Sequence, residues 1–483
     1  MIDEKKAIRT LRCALTFIFG LSYLANVFIA SPLLYDINSI LLIIVLILSF
    51  LATSGSSRLI AAAMFIVGAL MLIAAQSSIH DWEEALQDNA FLIAMFIMVP
   101  LISIPVRHGD YLASLRYLFA RYAHTKGRYY GLVSIMASFL GVLVSIASVP
   151  LTYEVARAGH YSSNVRLLGT ALSRGFATCL FWSPTTATAA LALQLTGANW
   201  LTFAPAALVC CLIAGAVGWL MVEVNGLRRT RERDAAFQDD MLDESTKTSE
   251  NKHDEDSKAD MTEIKLDRRK LTELIGFSIA FIGVVMLVAH FCSISVIVAV
   301  ALVSLLFPFL WMACIKKLPV LHKRISTEYL AQKLPQVKGQ IILFTAAGVL
   351  AAGISASGLG AILVTNLMQL IGHDVLVLTA LVLFLGIIVS ALGIHPIVYT
   401  AVVGGSLSAA QAGITPEYLA LLLCATWALG NAACPTSANT IAVSQLIERS
   451  PFKLAWNWNI VYVLVTSIII IVAMTALRAL GMI

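Results

Sequence analysis

Ser183-Pro184-Thr185-Thr186-Ala187-Thr188 and Cys434-Pro435-Thr436-Ser437-Ala438-Asn439 align without a gap, and the match continues to Gln194-Leu195 against Gln445-Leu446. Both stretches are polar and proline-centred, and both sit inside apolar sequence. Proline removes a backbone donor and clashes with the preceding turn. Each stretch therefore predicts a helix that stops and restarts within a membrane span. Irregular backbone at that depth is tolerated only where it is buried in protein or lines a cavity. A symmetric pair of broken helices near the midplane is the pattern of secondary transporters built from inverted repeats.

The composition agrees. Of 483 residues, 59% are hydrophobic and 13% are charged, against about a quarter charged in soluble domains. Mean hydropathy is +0.86. A soluble enzyme, a nucleic-acid binder and a secreted scaffold are excluded, and the length has room for roughly a dozen crossings. Charge is concentrated: 24 of the 61 Lys, Arg, Asp and Glu residues lie between Arg228 and Lys270. That insert reads as a disordered cytoplasmic linker between two apolar halves. The net charge of +5 comes from basic residues beside span ends, where the positive-inside rule explains them. The 8 cysteines form no CxxC pair and imply neither a disulfide framework nor a metal site. Met1 to Arg12 is basic and leads into apolar residues 13–30, which read as a first span rather than a signal peptide.

Apolar runs at 13–30, 38–53, 58–76 and 90–105 predict four spans. Lys5, Lys6, Arg9, Arg12 and Arg58 against the acidic His80-Asp81-Trp82-Glu83-Glu84 predict a cytoplasmic amino terminus. Residues 107–128 predict an amphipathic arm on the cytoplasmic surface. Three apolar stretches follow, 129–153, 167–196 and 200–224, between two points that the basic residues place in the cytoplasm. An odd number of crossings is impossible there. The stretch 129–165 is taken as a re-entrant hairpin, because Gly141 and Pro150 interrupt it and its return leg is polar.

The second half repeats the arrangement upside down. Spans at 272–291 and 294–315 lead to a basic segment at 316–338 and a span at 341–357. A hairpin at 375–412, broken at Gly393-Ile394-His395-Pro396, precedes an interrupted span at 417–447 and a last span at 455–477. Ser145, Pro150 and Tyr153 of the first hairpin match Ser390, Pro396 and Tyr399 of the second with one gap. The expected fold is an all-α polytopic membrane protein with about 11 transmembrane helices and two re-entrant hairpins in two inverted repeats. Its parts are 1–128 (spans and arm), 129–225 (first transport repeat), 226–270 (linker), 271–372 (second scaffold spans and arm) and 373–483 (second transport repeat). The chain is expected in the inner membrane with its carboxyl terminus outside.

Oxygen-rich breaks suit hard cations. Ser183, Thr185, Thr186 and Thr188, with carbonyls freed around Phe181 and Trp182, form one candidate ligand set; Thr436, Ser437, Asn439 and Thr440 form the other. The amino-terminal end of each following half-helix suits a carboxylate. Pro150, Thr152, His395 and Pro396 stand at the hairpin tips. His395 either carries a proton or is a neutral residue that shapes the tip. Arg174, roughly 10 Å inside its span, either attracts an anion or snorkels to the interface. Glu154, Asp374, Glu417 and Glu448 lie at hairpin and span ends, so no pair of buried carboxylates is available for proton antiport.

Two inverted repeats, each with a hairpin, a Pro-Thr-broken helix, a final span and a preceding basic arm, resemble the ion transporter superfamily. That group includes sodium-coupled dicarboxylate symporters, TRAP large permeases, citrate–metal carriers and arsenite or sodium/proton antiporters. The resemblance implies an elevator mechanism on a scaffold that dimerises. It also implies a small organic anion substrate, of di- or tricarboxylate type, coupled to sodium. The alternatives are a TRAP-like permease subunit or a proton-coupled carrier. No cofactor beyond the coupling ion and no nucleic-acid partner is expected. In the dicarboxylate branch a Ser-Asn-Thr motif marks each tip. Here the tips read Ser148-Val149-Pro150-Leu151-Thr152 and Gly393-Ile394-His395-Pro396, and the nearest equivalent is Ser437-Ala438-Asn439-Thr440. An embedded enzyme is disfavoured, since no nucleophile–base pair, metal cluster or nucleotide motif occurs in the sequence.

Overall fold

The computed structural model describes residues 2–240, 267–371 and 374–483. Among them every regular element is helical, and 11 segments are long and apolar enough to cross a membrane. The chain is a multi-pass membrane protein. One of the 11, Lys126–Ala156, is not a crossing but the first hairpin. Its place among the crossings is taken by Val165–Cys179 and Ala187–Thr196, which the break keeps from forming one long helix.

The first hairpin starts where Thr125 accepts a hydrogen bond from the Arg128 amide. Its long leg runs Lys126–Val144. The chain reverses at Ser145, whose φ is +51°, and returns as Ser148–Ala156. The Tyr129 hydroxyl donates to the Ala156 carbonyl at 3.1 Å, so the start of one leg meets the end of the other. Two details differ from the sequence reading. Gly141 lies within the long leg, where a Cβ would stand 2.7 Å from Cys179 Sγ; it admits the broken helix rather than ending the leg. Pro150 lies in the first turn of the return leg, where a missing N–H leaves no helical bond unmade. The turn is made instead by Ser145.

The second hairpin breaks where expected. Val375–Ala391 is followed by Gly393 at φ +95°. His395 Nδ1 accepts from the Ile397 amide at 3.2 Å and caps the return leg Pro396–Ser406. The Tyr399 hydroxyl donates to the Val382 carbonyl at 2.7 Å and closes the legs. Counting from the start of each return leg, Ser148 corresponds to Pro396 and Thr152 to Thr400.

Contacts between loops sort the chain into two ends. At one end Arg116 pairs with Glu154 at 2.6 Å, His108 with Glu328 at 2.8 Å, and Lys317 with Asp110. At the other, Gln194 reaches Asp88 at 3.4 Å, Thr202 donates to Glu417 at 2.9 Å, and Arg478 donates to the Gly413 carbonyl at 2.9 Å. Segments assigned to one side by the parity argument touch one another. The first hairpin opens to the basic end, because Arg116 of the arm Tyr111–Tyr122 meets Glu154 at its base. The second opens to the opposite end, where Thr379 and Tyr418 share a hydrogen bond of 2.7 Å.

Around this core lies a scaffold in which Ser56–Ala74 crosses Lys338–Ser357 at backbone contact. A Cβ on Gly68 would stand 2.5 Å from the Val349 carbonyl, and one on Gly353 2.6 Å from the Gly68 carbonyl. Small residues at a crossing let membrane helices approach this closely. The linker expected at 226–270 is helical at its start, since Trp200–Asp240 continues through it; residues 241–266 lie outside the described residues.

Candidate transport core

Each break is held by the same bond. Thr185 Oγ1 donates to the Val142 carbonyl at 2.5 Å and lies 2.9 Å from Ser183 Oγ. Thr436 Oγ1 donates to the Gly393 carbonyl at 2.8 Å and lies 3.2 Å from Cys434 Sγ. The second half of the sequence thus repeats the contact of the first, with a threonine fastening its hairpin to the break that follows it. Thr186 donates back to the Ser183 carbonyl at 2.8 Å. Ser437 donates to the Asn431 carbonyl at 2.9 Å, accepts from the Thr440 amide at 3.2 Å and so caps the half-helix Ala438–Leu446. Thr440 Oγ1 also reaches the Asn431 carbonyl, at 3.3 Å.

The carbonyls that the prolines free are largely taken. The Trp200 indole donates to the Trp182 carbonyl at 3.0 Å, and Asn459 Nδ2 donates to the Ala432 carbonyl at 3.3 Å. Trp182 is accordingly not an open ligand. Both indole and amide come from the span that follows each break, which is why the breaks are stable at this depth.

Two three-helix junctions result. In one, the return leg Ser148–Ala156 and the half-helix Val165–Cys179 pack on Ala438–Leu446; in the other, Pro396–Ser406 and Pro416–Ala433 pack on Ala187–Thr196. Each repeat lends its second half-helix to the other. The first junction holds buried oxygens with no hydrogen-bond partner: Ser148 Oγ, Thr152 Oγ1, Asn439 Oδ1 and Ser444 Oγ. Thr152 and Asn439 are both 0% exposed. In the second junction Thr400 Oγ1 and Asn431 Oδ1 are in the same state. Thr188, the second residue of its half-helix, is buried there as well.

Asn439 Nδ2 donates to the Ser173 carbonyl at 3.0 Å, and Asn459 Nδ2 to Ser173 Oγ at 3.0 Å. Next to Ser173, Arg174 is 6% exposed. Its Nε donates to Asn459 Oδ1 at 3.0 Å, its Nη2 to the Trp458 carbonyl at 2.6 Å, and its guanidinium carbon lies 4.6 Å from the Tyr462 ring centre. The side chain turns inward, to the last span, rather than out to the interface. It also lines a cavity of about 1150 Å³ beside the long leg of the first hairpin, which extends to Trp182. Exposed Ile135 and Leu212 form part of that cavity's wall and open it toward lipid. His395 is capped to the Ile397 amide through Nδ1 and stands edge-on to Trp427 at 6.0 Å. A ring nitrogen that accepts there carries no proton, which supports the neutral reading.

Ser173, Thr400, Asn431 and Asn459 escaped the sequence reading, and Ser148 entered it only as part of the first tip. The two asparagines carried a usable signal, since a carboxamide inside an apolar span is an expensive group that packs inward. Ser173 and Thr400 carried none. Among the described residues, no group of three or more His, Cys, Asp or Glu gathers as a metal site.

No protein-family model and no curated protein sequence matches the chain. A solved structure does: the YdaH transporter of Alcanivorax borkumensis, described as having an unusual topology, superposes with a TM-score of 0.54 over 88% of this chain and 97% of its own, at 12% identity. The chain has the fold of a membrane transporter. At that identity the likeness concerns the fold.

Proposed function

We propose that the chain is a secondary transporter, not an enzyme, that carries a small organic anion of di- or tricarboxylate type together with sodium. In this reading the hairpins and broken helices travel as one body against the scaffold. The observation that carries it is the set of partnerless buried oxygens at Thr152, Ser148 and Asn439, where one hairpin meets the other repeat's half-helix. A buried polar group left unpaired costs about 1–3 kcal/mol. Sodium is a hard cation suited to such oxygens, and the aligned ends of the half-helices at Ala187 and Ala438 favour the carboxylate. Thr185, Thr436 and Ser437 fasten the breaks and position that site rather than forming its open face.

The test is uptake of labelled di- and tricarboxylates into proteoliposomes under imposed gradients. Sodium-driven uptake, lost in Asn439→Leu, is expected. Uptake that ignores sodium and follows a proton gradient would transfer coupling to another group, and His395→Ala would then be the variant to measure.

A further inference from the structure

At the basic end of the scaffold, away from the transport core, a cavity of about 540 Å³ is lined by Arg9, Arg12 and Lys338, with Gln332 and Gln336. Arg9 and Arg12 belong to Ile2–Ile29, Lys338 opens Lys338–Ser357, and the carbonyl of Ala52 ends Pro32–Ala52. Three cations from distant parts of the sequence therefore face one space. Among the described residues no carboxylate lines it and none of the three forms an ion pair. Their bonds go to neutral groups: Arg9 to the Ala331 carbonyl at 2.5 Å, Arg12 to the Pro335 carbonyl at 3.3 Å and to the Cys13 thiol, and Lys338 to the Ala52 carbonyl at 2.5 Å. Arg12 is 5% exposed, and a guanidinium has five donors in a fork suited to phosphate oxygens. Like charges gathered without a counter-charge repel one another, and an anion relieves the repulsion.

We infer that this cavity binds the phosphate of an anionic phospholipid. The hydrocarbon beside it decides for a lipid over a free anion: Ile8, in the cavity wall, is 53% exposed, and Leu11 and Leu51, sequence neighbours of the lining residues Arg12 and Ala52, are 54% and 68% exposed, as expected of side chains lying against acyl chains. Basic pockets between transmembrane helices are known lipid-headgroup sites. A phosphate there would join the first two spans, the basic segment before Lys338 and the helix that crosses Ser56–Ala74. The bound lipid would brace the scaffold without touching the substrate.

The full-length protein is reconstituted in phosphatidylcholine nanodiscs with and without phosphatidylglycerol, and thermal unfolding is followed beside native mass spectrometry. Phosphatidylglycerol is expected to raise the midpoint by roughly 5 °C and to remain bound as an adduct. Arg9→Gln with Lys338→Gln is expected to lose most of that rise, and Arg12→Lys to keep part of it. Arg9→Gln alone, at an exposed side chain, serves if the double variant does not fold. An equal rise in wild type and Arg9→Gln with Lys338→Gln, or in wild type and Arg9→Gln where the single variant replaces the double, would overturn the site. The same rise from inorganic phosphate in phosphatidylcholine alone would overturn the lipid as its occupant.

Discussion

Thr436 Oγ1 donates to the Gly393 carbonyl at 2.8 Å, so the break of the second repeat is fastened to the tip of its own hairpin. Thr185 does the same to Val142 in the first repeat. The two bonds occupy matched positions of the aligned breaks and belong to hairpins that open to opposite ends of the molecule.

If these bonds hold the core together, Thr185→Val and Thr436→Val leave a buried carbonyl without its donor. Each is expected to lower stability by about 1–3 kcal/mol, read from thermal unfolding in detergent. Thr→Ser keeps the hydroxyl and is expected to lose less than half as much. Valine variants as stable as the serine variants would show that the bonds contribute nothing.

Thr152 poses the opposite case. Its hydroxyl is buried and partnerless, so Thr152→Val removes an unsatisfied group and is expected to leave stability unchanged or raise it by up to about 1 kcal/mol. As a cation ligand, however, its loss would weaken apparent sodium affinity about tenfold, measured as the sodium concentration for half-maximal uptake. Greater stability with unchanged sodium dependence would mean that Thr152 does not touch the ion.

The Arg174 guanidinium binds Asn459 and the Trp458 carbonyl through two of its nitrogens. A lysine ammonium is a compact point charge and lacks that fork. Arg174→Lys is expected to destabilise the protein by roughly 2–4 kcal/mol. A double-mutant cycle with Asn459→Leu should give a coupling energy of about 1–3 kcal/mol. Independent, additive effects would remove the pair from the account.

Orientation rests on the basic residues. Single cysteines at Asp110 and Lys323 are expected to react from the cytoplasmic side, and those at Glu84 and Gly413 from the external side. Labelling of Glu84 and Lys323 from one side would contradict the inverted arrangement, since the contacts of the chain put these positions at opposite ends.

Much of the fold could be read from the sequence because two of its rules are local. Proline followed by clustered hydroxyls in an apolar run announces a break, as at Pro184 and Pro435, whereas Pro205 and Pro308 ride inside unbroken helices, and loop charge fixes parity. The second tip was readable because Gly393 supplies a positive φ. The first was misplaced because its positive φ falls on Ser145, a residue that gives no such signal, while the conspicuous Pro150 sits harmlessly in a first turn. Long-range partners were out of reach. Arg174 and Asn459 lie 285 residues apart, and no periodicity or charge pattern links them. The indole of Trp200 that satisfies Trp182 was hidden for another reason: an aromatic residue at a span end is ordinarily read as an interface anchor.

The central claim is that the core moves as a body against the scaffold, and two cysteine pairs separate the alternatives. A Cβ on Gly405, of the second hairpin, would stand 3.2 Å from Ala351 Cβ in the scaffold helix Lys338–Ser357; one on Gly404 would stand 3.0 Å from Leu195 Cβ, inside the core. Both spacings are near the reach of a disulfide. The decisive measurement is uptake by Ala351→Cys/Gly405→Cys and by Leu195→Cys/Gly404→Cys, before and after oxidation. The account predicts that the scaffold–core link abolishes transport reversibly while the link within the core leaves it intact. Full transport with the scaffold–core link quantitatively formed would contradict it.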